Sequence, residues 1–376
     1  VTLGEVTDIS GPASAYGIPE NRGAEVAVDQ LNAAGGIASL GGAKLAIKTF
    51  DTASNPDNGQ TQASAAVAAN VSAVFGGEIS DTVLAGINVT QRAGLPWVDA
   101  GGTANEINGR GYSTVFQAVH DSTQFDTEWL SVAQLAAKQL GISHPTVAIA
   151  YSESSYGTDL LNAFNVANKT AGLNVVTSFG YPLTTTDFSS IAARLATANA
   201  DIIFNMGYPG DGIALAGLFA KQSKPKAKII IAAGSDAVDV VSQLKTSADG
   251  VLVLGDITPG MKGLPASFAS FYNAFQAKYH TQPNTQALSG YECVQFIAAA
   301  LEKAKSSSPA AVATALRQVS LTQATGNIFS TPASLSFTSN GTLANAPFFA
   351  AQVVNGTAKI VWPTSSAETT IKPYNG

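Results

Sequence analysis

The sequence predicts an α/β protein built as two doubly wound units. Strand-like runs alternate with segments of helical period along most of the chain, the pattern of parallel sheets wound with helices. The runs are apolar nearly throughout, as strands buried on both faces require. The 376 residues also exceed what one ordinary domain holds, so two are expected.

The first series of strands is read at "VTLGEVT", "KLAIKTFDT", "VSAVFGGE", "LPWVDAG" and "STVFQAV". Between the first two, "NRGAEVAVDQLNAAGG" places Ala24, Ala27, Val28 and Leu31 on one helical face and stops at glycines. A second series follows at "TVAIAYS", "NVVTSFGYP", "ADIIFNMGY", "KIIIAAG" and "GVLVLGD". Its helix "GTDLLNAFNVANKTAG" gathers Leu160, Leu161 and Phe164 on one side, with Gly172 as its C-cap. The break between the series is expected in "VHDSTQFDT". After Asp256 come two long helical stretches. The tail then alternates and carries "SNG" and "VNG" turns, which predicts antiparallel hairpins.

Composition excludes several functions. The chain is 45% hydrophobic and 12% charged, neither disordered nor fibrous. Its net charge of −6 and the lack of a basic cluster argue against nucleic acid. No apolar run is long enough to span a bilayer. The N-terminus starts in a strand-like segment with no visible signal peptide, as a mature, processed chain also would. The single cysteine, Cys293, cannot form an intrachain disulfide or a cysteine-based zinc site. It falls in a helical run where a buried, inert thiol is expected.

Enzyme motifs are poor. "GGIASLGGAK" lacks the Gly-Lys-Ser/Thr ending of a phosphate loop. "GPASAYG" has the wrong spacing for a nucleophile elbow. His120, His144 and His280 are scattered, with no pair spaced for zinc. His120 beside Asp121 has the form of a base with its orienter, but a hinge position explains it better. The expectation is a protein that is not an enzyme and needs no cofactor or metal.

Two strand ends stand out. "VSAVFGGEIS" and "LPWVDAGGTA" each stop at paired glycines and then offer a hydroxyl, Ser80 and Thr103. Glycines admit a close backbone or ligand. The hydroxyls either cap their own helices or, side by side, hold a small carboxylate. Open α/β sheets bind ligands at strand carboxyl ends, where strand order reverses. The first unit offers there Tyr16 in the loop after its first strand, Glu78, Ser80, Asp81, Gly101, Gly102 and Thr103. The second offers Tyr156, Tyr208 and Asp236. Three tyrosines at corresponding strand ends suit the walls of a small-molecule cleft formed where the two units face each other.

The order and spacing of these segments resemble the type I periplasmic binding proteins, in the leucine/isoleucine/valine-binding branch that serves ABC transporters. The resemblance starts at "ISGPASAYGIPENRGAEVAVDQLNAAGGI". It runs through "FGGEISDTVLA", "AGLPWVDAGGTANEI", "YSESSYGTDL", "TTDFSSIAARL", "NMGYPGD", "IIAAGSD" and "DGVLVLGD". It implies that Ser80 and Thr103, with adjacent backbone N–H groups, hold an α-carboxylate. It implies that the Gly101 carbonyl and Asp236 hold the ammonium, Asp standing where the family usually has Glu. Tyr16, Tyr156 and Tyr208 match wall positions, and Asp121 matches the hinge side. Glu78 and Asp81 are unusual neighbours for the carboxylate-binding serine, suited to a polar or cationic side chain. The family's disulfide cannot form here.

The resemblance further implies a three-crossover hinge. Lobe one is expected at 1–120 and 250–328, and lobe two at 121–249 and 329–376. The expected function is extracytoplasmic capture of an amino-acid-like solute by hinge closure and its delivery to an ABC permease, by a monomer that is periplasmic or lipid-anchored. The alternatives are an aromatic carboxylate, keto acid or amide as ligand, or the sensing domain of a regulator or receptor.

Overall fold

The structure is a computed structural model that describes residues 1–11, 13–257, 264–328 and 332–375. The chain divides into two units, Val1–Asp121 with Lys262–Pro347, and Ser122–Met261 with Phe348–Gly376. Elements are numbered in chain order.

Unit 1 begins with β1 (Thr2–Thr7), α1 (Ser14–Ala33), β2 (Ala46–Asp51), α2 (Pro56–Ala68) and β3 (Val74–Phe75). It continues through α3 (Ser80–Arg92), β4 (Trp97–Asp99), α4 (Glu106–Gly109) and β5 (Val115–Gln117). The strands form one parallel sheet in the order β2-β1-β3-β4-β5. The order reverses between β1 and β3, so the crevice rule points to the carboxyl ends of those two strands.

Unit 2 runs through α5 (Ser122–Gln139), β6 (Thr146–Ser152), α6 (Ser155–Ala171), β7 (Asn174–Tyr181) and α7 (Ser189–Thr197). It goes on through β8 (Ile202–Met206), α8 (Pro209–Lys221), β9 (Ile229–Asp236), α9 (Ala237–Leu244) and β10 (Val251–Leu254). The chain then returns to unit 1 for α10 (Ala266–Tyr279), α11 (Thr285–Ala304), α12 (Pro309–Leu316), β11 (Ser320–Thr322), β12 (Ser334–Phe337) and β13 (Leu343–Ala344). It ends in unit 2 with β14 (Ala350–Val354) and β15 (Thr357–Trp362).

The seven-stranded sheet of unit 2 has the order β15-β14-β10-β9-β8-β6-β7. Its parallel part reverses between β6 and β8, and β14 and β15 extend one edge as an antiparallel hairpin. One core around Trp129, Phe164 and Phe204 covers one face; a second around Phe188, Leu195 and Phe219 covers the other. This two-sided burial explains why the strands read as apolar throughout.

Two of the expected limits differ. Residues 251–254 were expected in lobe one, but β10 pairs with β9 and β14 and so belongs to the sheet of unit 2. The first tail hairpin was expected in lobe two. Instead β12 pairs with β11 and β13, because Leu335 and Phe337 bury in unit 1, where Phe337 meets Phe116 and Phe296. Residues 329–331, at the start of that expected segment, lie outside the described residues.

Unit 1 is closed by two helices far apart in sequence. Tyr291 Oη of α11 donates to Gln30 Oε1 of α1 at 2.9 Å. The Glu302 carboxylate accepts from the N–H groups of Ala38 and Ser39 at 2.6 and 2.9 Å. The helices approach until a Cβ on Gly23 would lie 1.8 Å from the Ala287 carbonyl oxygen. Only glycine fits at that crossing. Gly23→Val should overpack it and cost about 1–3 kcal/mol. Urea denaturation should show a lower midpoint for the variant, and an unchanged midpoint would mean that the helices part without cost.

Candidate ligand site

In unit 1 the carboxyl ends of β1, β3 and β4 form a shelf. Gly76 and Gly77, which end β3, take φ values of 99° and 102°, where a side chain would strain the backbone. This turn leads the chain into Glu78 and Ser80. The cap of α3 is Ile79, with no side-chain capping bond, and Ser80 is the first helical residue. Ser80 Oγ accepts from the N–H of Ala104 at 3.2 Å. Thr103 precedes Asn105, the cap of α4. Neither hydroxyl therefore stands at the N-cap of its helix. Ser80 joins the two strand ends instead, and its O–H hydrogen remains to donate.

Asp99 organises the second strand end. Its Oδ1 accepts from the N–H groups of Gly101 and Gly102 at 3.3 and 2.9 Å. The Gly102 carbonyl accepts from Gln117 Nε2 at 2.6 Å. The N–H groups expected to meet a ligand carboxylate thus turn inward, and Gly102 spends both its backbone groups on the shelf itself. Gly101 is held against Glu78: a Cβ there would lie 2.2 Å from Glu78 Oε2. Tyr16, expected in a loop, lies in the first turn of α1 and is 7% exposed. The helix starts that early because Gly17, one residue on, lets it press against the Asp8 backbone.

Beneath the shelf stands a set of buried acids. Glu20 Oε2 accepts from Thr7 Oγ1 at 2.8 Å. Glu5 accepts from Asn21 Nδ2 at 2.7 Å and from Thr49 Oγ1 at 2.8 Å; Asp8 accepts from Thr52 Oγ1. Burial raises all of them: Glu5 to about 7, Glu78 to about 8, and Asp8, Glu20 and Asp99 upward as well. Such groups stabilise the fold fully only below the ordinary carboxyl range, and for Glu78 the contribution is lost as pH rises through about 8.

In unit 2 the corresponding strand ends are aromatic. Tyr156, in the first turn of α6, and Tyr208, the cap of α8, flank the reversal between β6 and β8, with ring centroids 5.0 Å apart. Tyr208 is set by a network from three strands and a helix. Asn205 Nδ2 donates to Tyr181 Oη at 3.0 Å; Tyr181 donates to Asp211 Oδ2 at 2.8 Å; the same oxygen accepts from the Tyr208 N–H at 3.0 Å. Ser235 Oγ ties β9 to the start of α8 by donating to the Pro209 carbonyl at 3.0 Å. Burial raises Asp211 to about 6. Asp236 is fully buried at the end of β9. The ladder there steps from Ala232–Val253 to Asp236–Leu254, so residues 233–235 bulge out of register and re-aim the strand end.

His120 and Asp121 close the first pass of unit 1. Burial lowers His120 to about 4, which leaves a neutral imidazole bonded to the Ala346 backbone. Asp81 lies in the first turn of α3. Cys293 is buried on α11. Among the described residues no group of three or more His, Cys, Asp or Glu is disposed to hold a metal ion, and no helix is long and apolar enough to cross a membrane.

Several of these residues escape sequence reasoning. Asp99 ends a strand already read as one, and a carboxylate closing an apolar run before Gly-Gly is a usable signal. Glu20, on a largely buried helical face, is another. Tyr181, Asn205 and Asp211 come together only through the sheet order, which sequence spacing does not give.

Two doubly wound units, each with polar groups and glycines at the point where its strand order reverses, define a two-domain solute-binding protein. The family described as "Periplasmic binding protein" matches residues 1–358. The Leu/Ile/Val-binding protein homolog 7 of Brucella melitensis is 31% identical over 342 residues, covering 85% of this chain and 82% of that protein. The structure of a leucine-binding protein LivK from Thermotoga maritima superposes with a TM-score of 0.81 at 20% identity, covering 96% and 97% of the two chains. A solute-binding protein from R. palustris in complex with benzoate superposes with a TM-score of 0.81 at 15% identity, covering 100% and 97%. The chain belongs to the periplasmic binding protein family, in its leucine/isoleucine/valine-binding branch. That family is extracytoplasmic and consists of the solute-binding proteins of ABC transporters, which are not enzymes.

The network under Tyr208 can be tested on its own. Tyr181→Phe deletes one hydroxyl and leaves the buried Asn205 and the half-buried Asp211 each short of a partner. The cost should be about 1–3 kcal/mol. Urea denaturation followed by circular dichroism checks it; a midpoint equal to that of the wild type would show that the network is dispensable to the fold.

Proposed function

We propose that the protein captures a small amino acid outside the cytoplasmic membrane and delivers it to an ABC permease. In this reading Ser80 and Thr103 of unit 1 take the carboxylate, and the Gly101 carbonyl and Asp236 of unit 2 take the ammonium. Tyr16, Tyr156 and Tyr208 supply the walls, and the units close on the ligand at the hinge marked by Asp121. The observation that carries it is the Ser80 hydroxyl. Bonded to Ala104 at the strand-order reversal and relieved of capping, it has a hydrogen to give an anion. Leucine- and isoleucine-bound relatives support an aliphatic amino acid.

A second reading has an aromatic carboxylate as the ligand. The adjacent Tyr156 and Tyr208 rings favour it, since they would stack on an aromatic ring. A benzoate-bound relative supports it.

Calorimetric titration with L-leucine, L-isoleucine and benzoate tests the proposal; no binding of any of them would overturn it. Ser80→Ala and Thr103→Ala should each weaken the ligand that binds by about 1.5–3 kcal/mol, the value of a hydrogen bond to a charged group. Wild-type affinity in both variants would remove the carboxylate from this shelf.

Asp236→Ala separates the two readings. An enclosed ammonium that loses its counter-charge costs about 3–5 kcal/mol, or roughly two to three and a half orders of magnitude in affinity. Leucine binding should therefore vanish at micromolar concentration, whereas benzoate, which has no ammonium, should bind as well or better. Undiminished leucine affinity would exclude this placement of the ammonium.

A further inference from the structure

We propose that Asp51 and Ser54, at the end of β2, are positioning residues for ligand capture: they hold the start of α1 and, through it, the Tyr16 ring in the place where the ligand is received. The inference rests on the proposed function, which makes Tyr16 a wall of the site. The helix does little to hold its own beginning. Its N-cap is Ala13, which makes no side-chain capping bond, and its first turn carries no acidic residue. Alanine is a poor cap because it has no oxygen to offer the free N–H groups. Tyr16 lies in that first turn, three residues after the cap.

The restraint comes from the turn after β2, far away in sequence, with |i−j|=41 between Ala13 and Ser54. Ser54 Oγ accepts from the Ala13 N–H at 2.9 Å and donates to the Ser10 carbonyl at 3.2 Å. Asp51 Oδ1 accepts from the N–H groups of Ile9 and Ser10 at 3.1 and 3.2 Å, and its Oδ2 accepts from Ser10 Oγ at 2.6 Å. The same Oδ1 accepts from the Ala53 N–H at 2.8 Å, so one carboxylate ties the loop after β1 to the turn after β2. That turn has an uncommon backbone. Ala53 and Ser54 take φ values of 50° and 60°, which residues with side chains rarely adopt. It also presses on the loop: a Cβ on Gly11 would lie 2.4 Å from the Ala53 carbonyl oxygen. Such backbone persists only where its surroundings determine it, and it gathers at ligand sites. Here it stands beside the carboxyl end of β1, where the strand order of unit 1 reverses. Without the clamp the first turn of α1 frays. Only molecules with Tyr16 in place then bind at full strength, and apparent affinity falls by that fraction.

The test is calorimetric titration of the full chain with L-leucine and with benzoate, in Asp51→Ala and Ser54→Ala, each alone and combined with Tyr16→Ala. Whichever probe binds the wild type should bind each single variant about tenfold more weakly, the loss expected when the competent state falls to about one-tenth. In the Tyr16→Ala background the same substitutions should change affinity by less than about twofold, because the side chain they position is gone. Asp51→Asn keeps an acceptor for the loop N–H groups and should restore most of the affinity. Hydrogen exchange from Ala13 to Tyr16 should quicken in Asp51→Ala and slow again when the probe binds.

Wild-type affinity in both single variants overturns the positioning role and leaves the proposed function standing. Equal losses with and without Tyr16 also overturn it, since the clamp would then serve the fold or another part of the site. If the wild type binds neither probe, the proposed function falls and this inference with it. Should Asp51→Ala not fold, Ser54→Ala, which removes one hydroxyl from a half-buried turn, carries the same cycle. Should Tyr16→Ala bind too weakly to measure, the exchange result decides: exchange in the single variant that bound probe leaves unchanged overturns the inference.

Discussion

Five carboxyl groups stand at or beneath the ends of β1, β3 and β4, buried too deeply for all of them to carry charge. Taking a carboxylate out of water is costly unless hydrogen bonds or cations compensate it. The chain supplies donors from Thr7, Asn21, Thr49, Thr52 and the Gly101–Gly102 backbone, and it keeps protons where donors run out. Much of the shelf in unit 1 follows from this constraint. Asp99 turns the glycine N–H groups inward, Glu78 fills the space beside Gly101, and Ser80 is left as the hydroxyl that bridges the two strand ends.

Unit 2 meets a similar problem with a phenol, Tyr181, set between its buried polar groups. Tyr181 both accepts and donates, so one side chain satisfies Asn205 and Asp211 together. Asp211 then has an oxygen committed to the Tyr208 backbone, which fixes the entry to α8 and with it the ring that lies against Tyr156. The two units share a topological rule but differ in chemistry. In one the polar groups lie mainly under the surface; in the other they hold aromatic faces in position.

The strands and their class were legible because two-sided burial leaves an unmistakable apolar run, as at Ile202–Met206. Ser80, Tyr156, Tyr208 and Asp236 were legible as strand-end residues because the crevice rule depends only on strand direction. The limits of the units were less so. β10 reads like any other buried strand, and only its pairing with β9 and β14 assigns it. The partners of Tyr208 were hidden for the same reason: Tyr181 and Asp211 are thirty residues apart, |i−j|=30, and are joined by the sheet. Tyr16 was misplaced because a Gly–backbone contact, not a propensity, starts α1.

The contact between α1 and α11 also bears on the order in which the molecule can assemble. Contacts of this kind span |i−j|=261 between Gln30 and Tyr291. As the chain is synthesised, the helix bearing Gly23 forms long before the helix that covers it exists. The apolar side of α1, with Ala24 and Ala27, stays uncovered until residues 285–304 have emerged. By then the parallel strands of unit 2 are complete, and only its edge hairpin is missing. Unit 1 thus gains the helix that covers α1 only after the parallel strands of unit 2 have been made, although it is first in sequence. Such closure of distant contacts is slow and leaves a newly made chain open to holding factors and to aggregation for longer than its individual elements would suggest.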